Sequence, residues 1–100
     1  MATRFREAYV GDLTEAYAYL AGESPSAAER FIERVEHLVG LIEDFPEIGR
    51  RREELSPGLR SFRVQGFRFV VYYETEVRSV TMVRILHGAR RIGPDYFIDG

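Results

Sequence analysis

The chain has no cysteine, no lysine, only two histidines, and no apolar run long enough to cross a bilayer. Without thiols, neither disulfides nor thiolate metal sites can form. His37 and His87 alone cannot complete the tetrahedral ligand set of a structural zinc site, so no metal and no cofactor is expected. The first residues, MATRFREAYVGDL, offer no apolar core of signal-peptide length, and nothing approaches the roughly 18 apolar residues of a membrane span. A cytoplasmic chain with no membrane partner is the expectation.

All fourteen basic residues are arginine. So uniform a bias reads first as genomic base composition acting on the whole chain, yet it has a chemical consequence. Arginine stays protonated at any working pH, so none of these cations can act as a general base. The net charge of −2 also hides an asymmetry. Residues 1–49 carry four arginines against ten acids, and residues 50–100 carry ten arginines against six. A basic half within a mildly acidic chain points to a localised binding surface, not to the pervasive positive field of a non-specific nucleic-acid binder.

What is present suits one compact core. One hundred residues with 45% hydrophobic and 13% aromatic content read as a single domain spanning residues 1–100. Thr3 to Ala8 alternates weakly as a short first strand. Tyr9, Val10, Leu13, Ala16, Tyr17 and Leu20 then recur at helical spacing up to Gly22. Ser24-Pro25 supplies an N-cap followed by proline at the first helical position. From there Ala28, Phe31, Ile32, Val35, Leu38, Val39, Ile42 and Phe45 form the stripe of a second helix, which Pro46 ends. Glu47 to Gly58 is polar and reads as a loop. Leu59 to Gln65, Phe67 to Glu74 and Val77 to Leu86 are rich in Val, Phe, Tyr and Ile and read as three antiparallel strands, with breaks at Gln65-Gly66 and Glu74-Thr75-Glu76.

The expected fold class is α+β: a short N-terminal strand, an α-helical hairpin, then a three-stranded antiparallel meander, with the helices packed on one sheet face and the other partly open. Alternation puts Phe69 and Val71 in the core and Arg68 on the open side, where it can share a cationic concavity with Arg60 or Arg63 and with Arg90. Along the last strand, Met82, Arg84 and Leu86 share one side and Val83 and Ile85 the other. Gly88 then turns the chain and releases Arg90 and Arg91, cations suited to an acidic or anionic partner.

Four stretches carry a resemblance: SPSAAERFIERVEHLVGLIEDFPEIGR, GLRSFRV, FRFVVYY and VRILHGARR, of which the last is the most specific. Together they span nearly the whole chain, which resembles the ParE/RelE superfamily of type II toxin–antitoxin toxins. The LHGAR ending with a preceding GLR is similar to the ParE branch. That resemblance implies a toxin of a plasmid-stabilisation-like system that inhibits growth by binding DNA gyrase. It also implies neutralisation by a cognate ParD-like, ribbon-helix-helix antitoxin in a toxin–antitoxin hetero-oligomer. Under it no residue is catalytic, and Arg60, Arg84, Arg90, Arg91, Tyr96 and Phe97 are the implied target-binding residues.

The alternative is the RelE branch, a ribosome-dependent mRNA endoribonuclease. Its pattern has an arginine after a Gly-aromatic pair, an arginine just past the last strand and a tyrosine about six positions on, matched by Arg68, Arg90 and Tyr96. Its second-strand lysines are absent, with only Arg60 and Arg63 nearby. Cleavage by a 2′-hydroxyl needs a base and an acid besides cations, and only His87 or Tyr96 could supply them. Each has a plainer reading: His87 as a hydrogen-bonded residue at a strand end, and Tyr96, Phe97 and Ile98 as an apolar plug against the domain or the antitoxin. The Arg50-Arg51-Arg52 run followed by Glu53-Glu54 reads as a solvated loop with local ion pairs. Arg60 and Arg84 have a structural reading too, pairing with Glu74, Glu76 or the acidic helices. The remaining tyrosines read as core-edge residues.

Overall fold

The computed structural model describes residues 2–98. Its elements are β1 (Ala2–Phe5), α1 (Glu7–Glu23), α2 (Pro25–Asp44), β2 (Arg50–Arg51), β3 (Leu59–Arg63), β4 (Phe69–Glu76), β5 (Ser79–His87) and a 3₁₀ turn (Pro94–Phe97). This is the expected α+β order. The strands form one sheet in the order β1-β5-β4-β3-β2, with β1 parallel to β5 and every other pair antiparallel. Bringing β1 beside β5 in parallel requires a long crossover, which begins with the helical hairpin.

Ser24 serves both helices. Its N–H donates to Leu20 O at 2.8 Å to close α1, and its Oγ accepts from the Ala27 N–H at 3.3 Å to open α2. Pro25 takes the first helical position, where a missing N–H costs nothing. The buried side of α2 is Ala28, Phe31, Val35, Leu38 and Ile42, the three- and four-residue rhythm of one helix face. The helix closes with the Phe45 N–H on Leu41 O at 2.8 Å, just before Pro46.

The first helix starts earlier than the sequence pattern suggests. Arg6 N–H donates to Met82 O at 3.0 Å and Val10 N–H to Arg6 O at 3.1 Å, so the chain passes from the strand into the helix at that residue. The segment expected as a loop from Glu47 to Gly58 contains β2, paired through Arg50 with Ser61 and Arg51 with Arg60. The hairpin tip between β4 and β5 is Val77–Arg78, with Arg78 at φ 62°, instead of Glu74-Thr75-Glu76.

Both sheet faces are covered, and here the structure departs from the expectation of a partly open face. Against the helices lie Val64, Val71, Tyr73, Val80, Met82 and Ile85, packed with Tyr9, Phe31, Val35 and Ile42. The opposite face presents Leu59, Tyr72, Val83 and Leu86, closed over by Leu55, Ile92, Tyr96 and Phe97. The covering residues come from irregular segments, so periodicity carries no sign of them. A β-bulge, where the register moves from Tyr72↔Arg84 to Tyr73↔Met82, leaves Val83 without an opposite residue. One extra residue reverses the alternation. That is why Met82 and Ile85 share the helix-side core while Val83 and Leu86 share the other, contrary to simple alternation.

Candidate functional site

The last strand ends at a turn built to expose cations. His87 lies opposite Phe69 at the end of β5, and the Gly88 N–H donates to Arg68 O at 2.6 Å. A Cβ at Gly88 would sit 3.4 Å from that oxygen, a close but ordinary contact. Arg90 N–H then donates to His87 O at 3.0 Å and closes the turn. Arg90, Arg91 and Arg68 all emerge exposed at this end of the sheet. None of the three forms an ion pair with another described residue. Arg63, at the end of β3, points its Nε toward Phe67 O at 3.4 Å on the same rim.

Beside this turn a cleft of about 350 Å³ separates α1 from the end of β5, lined in part by Glu15, Tyr19, Phe69, His87 and Arg90. The His87 ring packs edge-on to Phe69 with centroids 5.3 Å apart, and its Nδ1 accepts from the Ala89 N–H at 3.1 Å. One ring nitrogen is therefore committed to holding the turn.

The other sequence candidates are drawn into the fold. Arg84 donates from Nε and Nη2 to the two Asp12 oxygens at 2.7 and 2.9 Å, and from Nη1 to Tyr96 O at 3.1 Å. The Asp12 carboxylate beside it holds the Arg84 guanidinium above its ordinary pKa, against the opposing effect of burial. The Arg84 guanidinium carbon also lies 5.7 Å from the centre of the Tyr96 ring. Phe97 is only 8% exposed and stacks at a tilt on Tyr72, 5.0 Å away. Arg60 donates to the carbonyls of Glu47 and Gly49 at 3.1 and 2.8 Å, tying β3 to the exit of α2. Thus Arg68, Arg90 and Arg91 are exposed, while Arg60, Arg84 and Phe97 have internal contacts. In the arginine run, Arg52 pairs with Glu54 at 2.8 Å and sits 5.8 Å above the Tyr72 ring.

Sequence reasoning missed Asp12. It lies on α1 and also accepts from the Ile85 N–H at 3.0 Å, so its carboxylate replaces the strand neighbour that β5 lacks once β1 has ended. No local pattern marks it, because its partners lie 72 and 73 residues away.

A family model described as the ParE toxin of the type II toxin–antitoxin system parDE matches residues 3–92. Toxin ParE3 of Caulobacter vibrioides is 32% identical over 79 residues, which cover 78% of this chain and 77% of that protein. A solved structure described as the chromosomal ParDE TA system from P. aeruginosa aligns with a TM-score of 0.72 at 18% identity, over 87% of this chain and 95% of that one. At that identity the likeness is one of fold.

Proposed function

Because the chain belongs to the ParE toxin family of type II toxin–antitoxin systems, we propose that it acts as a single-domain cytoplasmic toxin that binds DNA gyrase and stalls it after DNA cleavage. A cognate ParD-like antitoxin neutralises it. One observation carries the binding reading: the exposed rim of Arg68, Arg90 and Arg91 offers fixed positive charge, while the nearest titratable ring, His87, is engaged with the Ala89 N–H. Permanently charged guanidinium groups hold carboxylates or phosphates well and move no protons. The P. aeruginosa relative belongs to a ParDE system, which supports an antitoxin as partner.

Purified protein is expected to inhibit gyrase supercoiling and to accumulate cleaved DNA complexes. Unaltered supercoiling with no cleaved complexes would sink the gyrase reading. A ribonuclease reading draws on Arg68 and Arg90 flanking one turn, held by the 2.6 Å contact of Gly88 N–H with Arg68 O. It requires new mRNA 5′ ends on ribosomes when the protein is expressed, and toxicity with unchanged transcripts excludes it.

A further inference from the structure

We propose that the unpaired edge of β3 at Arg63, just before Val64 bonds back to β4 and the Gln65 carbonyl accepts from Arg34 Nη1 at 3.3 Å, is where the neutralising partner adds an extended segment of alternating apolar and acidic residues, as a strand in line with β2. The inference rests on the toxin–antitoxin reading above and assigns it a surface.

The edge is open for a definable reason. Arg52 N–H bonds outward to Leu59 O at 2.8 Å, and Val64 N–H bonds to Phe69 O on β4 at the same distance. In an antiparallel ladder this alternation turns the N–H and C=O of Arg63 away from β4. Extending the β2 register, which pairs Arg50 with Ser61, would put Ile48 opposite Arg63. Ile48 N–H is instead bonded to Phe45 O at 3.0 Å, and Gly49 N–H to the Tyr73 hydroxyl at 2.8 Å, so the chain leaves the sheet there. The main-chain groups of Arg63 meet no partner among the described residues. Charged side chains guard such an edge against chance pairing, and it remains a template for a matched strand.

Two grooves flank it. On the helix side, a groove of about 490 Å³ is lined by Leu38, Leu41 and Phe62 and rimmed by Glu33, Arg34 and His37. On the opposite side, one of about 430 Å³ is lined by Arg50, Arg52, Arg63 and Val70. Arg50 and Arg63 form no ion pair with a described residue. A strand lying between the grooves sends successive side chains to opposite faces. Apolar residues would enter the first groove, and carboxylates would meet Arg50 and Arg63 in the second.

The probe is a fluorescein-labelled synthetic peptide alternating leucine with glutamate, titrated onto the full chain by anisotropy. It is expected to bind at least about tenfold tighter than a shuffled peptide in which the glutamates are contiguous. Arg63→Pro removes the outward N–H at an edge position that tolerates proline, and weakens binding about tenfold. Arg63→Ala keeps the ladder and weakens it about threefold. The pair Arg50→Glu and Arg63→Glu abolishes binding without altering backbone donors. On the unsubstituted protein, the Arg63 amide becomes protected from exchange when the peptide is bound. Equal binding of the shuffled peptide, no amide protection, or protection that tracks self-association of the chain overturns the proposal. An antitoxin that co-purifies and restores growth yet leaves the Arg63 amide unprotected overturns the docking surface alone. If no neutralising partner exists, the toxin–antitoxin reading fails with it.

Discussion

Asp12 and Arg84 form a two-pronged pair across the fold, at 2.7 and 2.9 Å, with the same carboxylate also accepting the Ile85 N–H at 3.0 Å. The side chains are 12% and 22% exposed, which sets the pair apart from an ordinary surface ion pair. Three donors on one carboxylate join α1, the bulged part of β5 and, through Tyr96 O, the C-terminal turn.

Asp12→Ala should therefore lower stability by about 2–3 kcal/mol, because it leaves a guanidinium and a backbone N–H without their acceptor. Asp12→Asn, which keeps an acceptor for Ile85, should fall between the two. Thermal denaturation checks both. The double variant Asp12→Ala, Arg84→Ala should cost less than the two single changes added together, since either one already breaks the pair.

The Tyr73 hydroxyl accepts from Gly49 N–H and donates to Pro46 O, both at 2.8 Å. A Cβ on Gly49 would lie 2.5 Å from that hydroxyl and 2.9 Å from Ser61 O. Gly49→Ala is expected to cost about 1–3 kcal/mol by overpacking, and Tyr73→Phe about 1–2 kcal/mol by orphaning the Gly49 N–H. Urea midpoints of the two variants test this, and unchanged midpoints would refute it.

Tyr9 is 1% exposed and its hydroxyl finds no partner among the described residues. Deleting a buried hydroxyl that makes no bond removes a desolvation penalty and leaves the ring in place. Tyr9→Phe should raise stability by about 1 kcal/mol, read as a higher Tm.

Burial pushes the phenols of both Tyr9 and Tyr73 above their ordinary value. A raised folded-state pKa means that the folded chain holds these protons more tightly than the unfolded chain. The associated stability is complete below about pH 10, where the unfolded phenols begin to ionise, and is lost as the pH rises further. Urea midpoints should hold steady up to that pH and fall above it, with a shallower fall in Tyr9→Phe. A midpoint that rises in this range would contradict the assignment.

Arg68→Ala and Arg90→Ala should change stability by no more than about 0.5 kcal/mol, read as a nearly unchanged Tm, because both side chains are exposed and make no ion pair among the described residues. Under the gyrase reading the two changes should weaken supercoiling inhibition. Arg84→Ala should act chiefly through stability. If all three lower Tm alike, the division between rim and internal arginines is wrong.

Much of the fold was legible in the sequence because it rests on local chemistry. Ser24-Pro25 marks the break between the helices, and the stripe from Ala28 to Ile42 declares a buried helix face. The site was legible only in part. Gly88 followed by Arg90 and Arg91 could be read as a turn releasing cations, and its contact with Arg68 agrees with that reading. Arg60 and Arg84 carried two readings in sequence, target contact or structural pairing with Glu74, Glu76 or the acidic helices. The pair of Arg84 with Asp12 on α1 fits the second, while the Glu47 and Gly49 carbonyls that hold Arg60 leave no mark in the sequence.

By itself, the sequence determined the element types, the helical hairpin, the charge division between the two halves and the lack of thiol chemistry, all of which depend on composition or on spacing within a few residues. Only the tertiary structure decided which arginines stay free. It also decided that a bulge at Val83 reverses the faces of β5, that Leu55 and Phe97 close the second sheet face, and that β2 begins too late to cover Arg63. These outcomes depend on contacts between residues far apart in the chain, and local pattern carries no record of such distances.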